Sequence, residues 1–363
     1  MKKIKSVDKQ YLSLMKEIME KGVGKDTRAG HVRSIFGKQL KIDMRKGFPL
    51  LTTKKVYFKG VAAELLWFLH GEDNIYSLLK DGVHIWDGDA YRWYKHVLDL
   101  VDNTAEPVSK EEFLQKVLSK EEFPSKYADA LEDILGNFYY YGDLGKIYGV
   151  QWNDFMGKEN QIARLCETLR TNPDDRRMIV TAWNPTEIDI NSVALPPCHV
   201  MFQVYTREMT LMERIEYVRT HWDDTVSGPL PENIIKKEGV TRDFLDQFSP
   251  ERAISLMWIQ RSVDVPCGLP FNIASYGLLL ELLGKMLGMM PEYLVGSLGD
   301  CHIYENQIDG VMEQLQRDPK KYELPALFIH GGVKKNLYDY TMDDIQLADY
   351  KSYPAIKFPL NVG

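Results

Sequence analysis

Cysteine is scarce in this sequence, and so are the features of membrane, secreted and polymer-binding proteins. The four cysteines among 363 residues form no CxxC pair, which excludes a disulfide scaffold and favours free thiols in a reducing cytoplasm. No apolar run approaches the roughly 18 residues of a membrane helix, and the first residues lack the apolar core of a secretory signal. A net charge of −7 does not suit a bulk phosphate polymer, although a few arginines can still hold one small phosphate.

Internal repeats, low-complexity tracts and linkers are also lacking, which favours a single domain over residues 1–363. Two segments differ from the rest in composition. Residues of about 88–140 are rich in charge and tyrosine, and those of about 207–253 are strongly charged and carry the turn signal SGPLPEN. We interpret both segments as insertions between core elements and not as separate domains.

Hydrophobic periodicity predicts the main helices and strands. Helices are expected over residues 7–22, 60–71 and 273–289, and strands over residues 34–43, 176–183, 199–206 and 255–263. The helix at 273–289 is apolar almost all round and should therefore be buried. Because strands and helices mix without strict alternation, the pattern favours an α+β fold.

The first candidate for chemistry is the cysteine of ALPPCHVMFQVY, residues 194–205. Two prolines fix the backbone before Cys198. A thiol has an ordinary pKa of about 8.5, so it needs nearby positive charge to act as a nucleophile. A buried structural role is the commoner one for an isolated cysteine, and we assign that role to Cys166, Cys267 and Cys301. Cys198 departs from it because of the residues around it.

Adjacent arginines, Arg176 and Arg177, stand at the start of a predicted strand. Such neighbours are usually a solvated edge, but their guanidinium groups could also form a fork for phosphate oxygens. Arg261 and Ser262, within residues 259–276, offer further groups for a phosphate. The residues alone leave both interpretations open.

Other polar residues suit a heterocyclic ring and a sugar. Asp264 could hold an amine-bearing ring, and Asn272, between Phe271 and the predicted helix, has an amide that both donates and accepts, as uracil requires. A structural hydrogen bond is the competing role for Asn272, because an unpartnered buried amide costs stability. His302 and Tyr304 lie two apart, on one side of an extended segment, and could grip a ribose hydroxyl.

A metal site is not expected. Cys198 with His199, and Cys301 with His302, are adjacent pairs whose side chains point apart in a strand. No cluster of further ligands follows either pair.

Taken together, nine collinear blocks resemble the thymidylate synthase family over nearly the whole chain outside the two insertions. The blocks are FPLLTTKK, ELLWFLHG, HIWD, GDLGKIYGVQW, NPDDRRMIVTAWNP, ALPPCH, QRSVDVPCGLPFNIASY, GDCHIY and YPAIK. The resemblance implies an α+β fold in which a large, twisted, mixed sheet packs against helices. It also implies a homodimer with the back of the sheet at the interface.

The resemblance further implies an activity and a set of site residues. A one-carbon unit would pass from 5,10-methylenetetrahydrofolate to C5 of dUMP after the Cys198 thiolate, favoured by Arg261 and the phosphate site, adds to C6. The residues implied to be catalytic are Cys198, Glu64, Tyr148, Asn272 and Asp264. Those implied to bind dUMP are Arg28, Arg176, Arg177, His199, Gln260, Arg261, Ser262, Asn272, His302 and Tyr304, with Arg176 and Arg177 reaching the partner's site. Those implied to bind folate are Lys54, Ile85, Trp86, Asp264, Gly268 and Phe271.

Two departures from the family pattern bear on the product. The early loop reads DTRAGHVRS where the family is close to DRTGTGT, so Arg28 is displaced by one position, and the tail reads FPLNVG where the family is close to APVAV. Both segments belong to the closure that keeps water from the intermediate. A hydroxymethylase that lets water in is therefore the alternative to a synthase. A catalytically inactive scaffold relative would lack a chemical residue, and Cys198, Tyr148, Glu64 and Asn272 are all present.

Overall fold

A six-stranded mixed sheet organises the chain. The computed structural model describes residues 4–135, 139–188, 193–222, 228–237 and 239–361. The strands are β1 (Val23–Thr27), β2 (Gly30–Asp43), β3 (Ile179–Thr181), β4 (His199–Glu208), β5 (Arg252–Asp264) and β6 (Met290–Tyr304), in the order β1-β2-β6-β5-β4-β3. Among these described strands, the central pair, β5 and β6, is parallel and the other neighbouring pairs are antiparallel. A second pair, β7 (Ala326–Ile329) and β8 (Ile345–Ala348), is antiparallel.

Helices pack against one face of this sheet, and others pack on those helices or on one another. Within the described residues the helices are α1 (Val7–Lys21), α2 (Phe58–Leu69), α3 (Tyr76–Lys80), α4 (Asp87–Val101), α5 (Lys110–Leu118), α6 (Ala128–Leu135), α7 (Tyr148–Asn153), α8 (Gln161–Thr171), α9 (Leu211–His221), α10 (Glu232–Lys236), α11 (Arg242–Phe248), α12 (Gly268–Leu287) and α13 (Ile308–Leu315). The crossover helix α12 joins β5 to β6 and packs on both strands and on α2. Trp258 of β5 stacks on Tyr276 of α12 with ring centroids 5.5 Å apart. The expected α+β fold, with a mixed sheet against helices, is confirmed.

Two predicted elements differ from the structure in a way that bears on the placement of candidate residues. Helix α12 begins at Gly268, so Asn272 lies inside the helix and not before it. The Asp264 carboxylate accepts the Cys267 backbone N–H at 3.0 Å, and Pro270 is tolerated in a first turn because that turn needs no N–H donor. The strand expected over residues 176–183 is confined to β3, because Asp175 accepts the Arg177 backbone N–H at 2.7 Å and holds a turn.

The other face of the sheet carries apolar side chains that remain accessible. Tyr205 on β4 is 60% exposed, and Met257 on β5 is half-buried. With Tyr293 and Val295 of β6 they line a shallow hollow of about 440 Å³. We call this surface the uncovered face.

The two segments of unusual composition differ in how they pack. Around residues 88–140, Tyr94, Phe113 and Phe123 form an aromatic cluster that is continuous with the main core. The segment around residues 207–253 has a small apolar cluster of its own, formed by Ile215, Val218, Ile234 and Leu245. No helix in the described ranges is long and apolar enough to cross a membrane.

Candidate active site

The carboxyl ends of the parallel strands β5 and β6 open into a cavity of about 700 Å³. The register places Ser262 opposite Asp300 and Asp264 opposite His302, so polar residues of both strands meet at one edge. Sequence-predicted residues that line the cavity are Cys198, Glu64, Tyr148, Asn272, Asp264, Arg28, His199, Gln260, Arg261, Ser262, His302, Tyr304, Ile85, Trp86, Gly268 and Phe271. Residues that are distant in the sequence are thus brought together in one cavity.

Cys198 lies in a loop fixed by its neighbours, immediately before β4. Its backbone N–H donates to the Tyr148 hydroxyl at 2.8 Å, and its carbonyl accepts the Arg261 backbone N–H at 2.8 Å. The Arg261 guanidinium donates to the Pro197 and Pro196 carbonyls at 2.8 and 2.9 Å. These bonds hold the two prolines so that the thiol lines the cavity.

The groups around Cys198 shift the pKa of its thiol in opposite directions. Burial raises the pKa of the thiol, and the carboxylates of Asp89 and Asp264 raise it further, while Arg261 lowers it. Arg261 therefore favours the thiolate in the expected direction, but burial outweighs it, and the pKa of the thiol is raised overall in the free protein. Asp89 lies on α4, where its carboxylate is 2.7 Å from the Arg92 guanidinium. Both residues line the cavity.

Tyr148 and His199 form a stacked pair beside the cysteine, with ring centroids 4.0 Å apart and planes inclined by 12°. The imidazole Nδ1 and the Tyr276 hydroxyl are 2.9 Å apart. Burial lowers the pKa of His199 to about 3, so this ring is neutral at physiological pH. Burial raises the pKa of Tyr148 well above its ordinary value, so its hydroxyl keeps a proton that it can share.

Glu64 on α2 holds its carboxyl at the wall of the cavity and accepts the Trp86 indole N–H at 2.8 Å. Burial raises the pKa of Glu64 from 4.5 to about 7, and the bond from Trp86 opposes this only in part. A carboxyl with a pKa near 7 can both take up and release a proton at physiological pH.

We predict that Glu64→Gln stabilises the free protein at pH 8. The raised pKa means that the folded chain holds more protons than the unfolded chain between pH 4.5 and about 7, so stability falls as the pH rises through that window. Glutamine keeps an oxygen that accepts the Trp86 N–H. It also removes the buried ionised carboxylate, a group that lowers the free energy of unfolding by about 3 kcal/mol above pH 7. Urea unfolding should give this gain at pH 8 and little change near pH 4.5. A loss of stability at pH 8 would contradict the prediction.

Asn272 is oriented by a neighbouring amide. Gln260 Nε2 donates to Asn272 Oδ1 at 3.1 Å and to the Ser262 carbonyl at 3.0 Å, while Gln260 Oε1 accepts the Trp258 indole N–H at 3.2 Å. Because an indole N–H can only donate, this chain of bonds fixes which end of each amide is oxygen. Asn272 therefore keeps its N–H donors and one oxygen lone pair for a ligand.

His302 and Tyr304 lie on one side of β6, as their spacing predicts, with their rings edge to face and 5.2 Å apart. The hairpin of β1 and β2 lies beside them, because Tyr304 pairs with Val32 and His302 with Ser34. The hairpin turn brings Arg28, an exposed residue, to the mouth of the cavity. One cavity thus offers a thiol, a proton-sharing carboxyl, an oriented amide and cationic groups at its mouth.

Comparison with known proteins identifies the family to which a chain with this cavity belongs. The thymidylate synthase family model matches residues 9–362. A thymidylate synthase of Mycoplasma mobile is 37% identical over 350 residues, which cover 96% of this chain and 98% of that relative. The chain belongs to the thymidylate synthase family.

Membership of the thymidylate synthase family makes the protein a folate-dependent one-carbon transferase, with 5,10-methylenetetrahydrofolate as cosubstrate and dUMP as acceptor. Both matches carry the name of the synthase, so the hydroxymethylase alternative is not favoured. Within the ranges that the structure describes, no three His, Cys, Asp or Glu side chains are grouped to hold a metal ion.

Three residues that resemblance to thymidylate synthases assigned to the site do not line the cavity. Arg176 and Arg177 are exposed, and Arg177 pairs with Asp175 at 2.7 Å. Lys54 is buried, donates to the Pro266 carbonyl, and lies 4.7 Å from the centre of the Phe358 ring. Burial lowers the pKa of Lys54 to about 8.

The tail, which departs from the family pattern, is seated on the cavity. Leu360 and Asn361 line it, and Asn361 exchanges two amide hydrogen bonds with Asn306, at 2.9 and 3.1 Å. Phe358 packs against Gly310, where a β-carbon would come within 2.6 Å of the ring. The bulky and polar tail residues therefore have matching contacts, while the extra residue Gly363 lies outside the described residues.

Sequence reasoning missed several residues of the cavity wall. Cys166 and Cys301 are buried as expected, but the expectation that Cys267 is buried is wrong, because this residue is half-buried and lines the cavity. The other lining residues that we did not single out include Lys25, Phe68, His84, Asp89, Arg92, Leu195 and Asp300. Asp300 lies within the GDCHIY block and Asp89 lies two residues after HIWD, so closeness to these blocks was the available signal.

Proposed function

We propose that the protein converts dUMP to dTMP through a covalent bond between Cys198 Sγ and C6 of the pyrimidine. The observation that carries this proposal is the lining of one cavity by Cys198, Tyr148, Glu64 and the oriented amide of Asn272. Such a set supplies a nucleophile, two proton carriers and a group that recognises an imide.

Binding comes first in the proposed mechanism. The dUMP phosphate lies near Arg28, Arg261 and Ser262 at the cavity mouth. The Asn272 amide donates to O4 of uracil and accepts from N3–H. His302 and Tyr304 contact the ribose. Together these contacts hold C6 near Cys198, and alignment of the two reacting atoms supplies much of the rate enhancement.

The chemical steps follow from the thiol. Cys198 loses its proton, its sulfur bonds to C6, and the electron pair of the C5–C6 bond moves to C5 as an enolate that Asn272 stabilises. C5 of the pyrimidine then bonds to the methylene carbon that bridges N5 and N10 of the folate, as the bond from this carbon to N10 breaks and N10 takes up a proton. The C5 proton leaves through the network of Tyr148 and Glu64, and the remaining bond from the methylene carbon to N5 breaks, which leaves an exocyclic methylene on the pyrimidine. Hydride from tetrahydrofolate completes the methyl group, the C6–S bond breaks, and dTMP and dihydrofolate leave.

The product distinguishes this reaction from water addition. We expect mass spectrometry to find dUMP heavier by one methylene unit, with one dihydrofolate formed, detected by its absorbance, for each nucleotide consumed. A hydroxymethyl product without dihydrofolate would overturn the proposal. The tail contacts through Asn361 and Phe358 support exclusion of water from the closed site.

We also propose that the protein is a homodimer built on the uncovered face. Its accessible apolar side chains suit a self-complementary contact, as in a twofold dimer. Gln203, on the same face, donates to the Arg176 carbonyl at 3.2 Å, so the arginine pair stands at the border of this surface. Arg176 and Arg177 would then reach the dUMP phosphate in the partner's cavity.

Mixing two inactive variants tests this arrangement. We predict that R176A/R177A and C198A, each inactive alone, regain about a quarter of wild-type activity when unfolded together in equal amounts and refolded. Half of the dimers are then mixed, and one site in each has both Cys198 and intact arginines. Refolding each variant alone is the control. Full activity of R176A/R177A alone, or no recovery on mixing, would contradict the prediction.

We propose one catalytic unit over residues 1–363, with insertions at about 88–140 and 207–253. Compositional contrast and the separate apolar cluster of the second segment support this division. A cytoplasmic location is supported by four free thiols, which a reducing compartment preserves.

Lys54 is proposed to act on the folate side indirectly, through the Phe358 ring.

A further inference from the structure

We infer that Gln307 is a positioning residue that couples the seated C-terminal tail to Asp264, so that the folate side of the cavity is complete only when the tail is docked. Gln307 is 1% exposed and ends the short helical turn Glu305–Gln307 that follows β6. It is not among the residues that line the cavity, so it acts through others. The inference rests on the proposed function in so far as Asp264 serves the folate.

The orientation of the Gln307 amide follows from its partners. Its Oε1 accepts the Tyr304 backbone N–H at 3.0 Å, and a backbone N–H can only donate. Nε2 therefore faces the opposite way. It lies 3.1 Å from Asp264 Oδ2, 3.1 Å from the Pro359 carbonyl and 3.4 Å from Cys267 Sγ.

One amide nitrogen therefore joins three parts of the molecule. Asp264 ends β5, Cys267 precedes α12, and Pro359 belongs to the tail. The two N–H bonds of Nε2 match the two strong acceptors, Asp264 and Pro359. Since the Cys267 backbone N–H holds Asp264 Oδ1 at 3.0 Å, Gln307 completes the fixing of both carboxylate oxygens.

Loss of the tail contact would leave a buried donor without its acceptor, which is unfavourable. The Gln307 amide would then turn or shift, and Asp264 would lose its fixed orientation with it. In the opposite direction, a folate ligand that holds Asp264 in place favours the seated tail. By thermodynamic linkage, folate binding and docking of the tail therefore stabilise each other.

Two variants separate this role from a merely structural one. Gln307→Met keeps the length and removes the polar contacts. Gln307→Glu keeps an acceptor for the Tyr304 N–H but sets a second carboxylate against Asp264. The matched control is Gln314→Met, because Gln314 is also fully buried and donates to Thr53 at 3.2 Å, away from the cavity.

We expect Gln307→Met to raise KM for 5,10-methylenetetrahydrofolate about tenfold and to lower the dihydrofolate formed per dUMP consumed, with dUMP affinity unchanged within about twofold. Gln307→Glu should show the larger folate defect because like charges then adjoin. Gln314→Met should leave both the folate KM and the product ratio as in the wild type. An unchanged folate KM in Gln307→Met, or an equal loss of dUMP affinity, would overturn the inference.

A second readout does not depend on turnover. Hydrogen–deuterium exchange at the Phe358, Leu360 and Asn361 amides of the free protein should be faster in Gln307→Met than in the wild type and in Gln314→Met. If the protein makes no dTMP but this difference is present, the proposed function fails while the link between the tail and Gln307 stands. Equal exchange in all three proteins would overturn that link.

Discussion

Replacing Cys198 by alanine abolishes turnover while the variant still binds dUMP. The variant lacks the sulfur that bonds to C6, and Tyr148 cannot replace it, since burial raises its pKa well above the ordinary value. The loss in kcat should be on the order of 10⁵-fold or more, as for other covalent nucleophiles. Steady-state kinetics and calorimetric titration with dUMP measure the two effects separately.

Cys166→Ala is the matched control for Cys198→Ala, because Cys166 is buried in α8 and lies outside the cavity. That variant can lose some stability, but its turnover should stay within a few-fold of wild type. Turnover retained by Cys198→Ala would contradict the nucleophile assignment. Loss of both turnover and dUMP binding would instead indicate that the loop before β4 is disrupted.

Replacing Asn272 by aspartate should shift the preference from dUMP towards dCMP. Gln260 still donates to one oxygen of the new side chain, so its orientation is kept, but uracil O4 then faces an acceptor in place of an N–H donor. The loss in kcat/KM for dUMP should be roughly 10²- to 10³-fold. The cytosine amino group can donate to the carboxylate, so binding of dCMP should improve.

The ratio of dCMP to dUMP affinity is the measurement for Asn272→Asp, and Gln260→Ala is its control. The control removes the orienting bond but places no carboxylate, so it should weaken dUMP without favouring dCMP. If Asn272→Asp leaves the ratio unchanged, Asn272 does not read the base. A structural role for its amide would then be the better account.

The sheet and most site residues could be predicted because strong local patterns specify them. Alternation and β-branched residues gave β4 and β5, and the nearly all-apolar pattern gave most of α12. Cys198 was identified from its two prolines and the blocks around it. Residues such as Gln260 and Asn272 lie within one continuous block, so their closeness in space follows from the short connection between β5 and α12.

The features of the fold and the site that were not predicted depend on contacts that local sequence does not encode. The start of α12 is set by the Asp264 carboxylate, and an Asp three residues before a Cys is no strong signal. The raised pKa of Cys198 arises from burial and from Asp89, which lies on α4, far away in the chain. The fit of Phe358 against Gly310 likewise depends on two segments that only the fold brings together.

The most direct test of the central claim is intact-protein and peptide mass spectrometry after incubation with 5-fluoro-dUMP and 5,10-methylenetetrahydrofolate. Fluorine at C5 replaces the proton that the reaction must remove, so the adduct cannot proceed to product. We predict a mass increase equal to both ligands on the peptide that carries Cys198, and none on peptides that carry Cys166, Cys267 or Cys301. An unmodified Cys198, or an adduct on another residue, would contradict the mechanism.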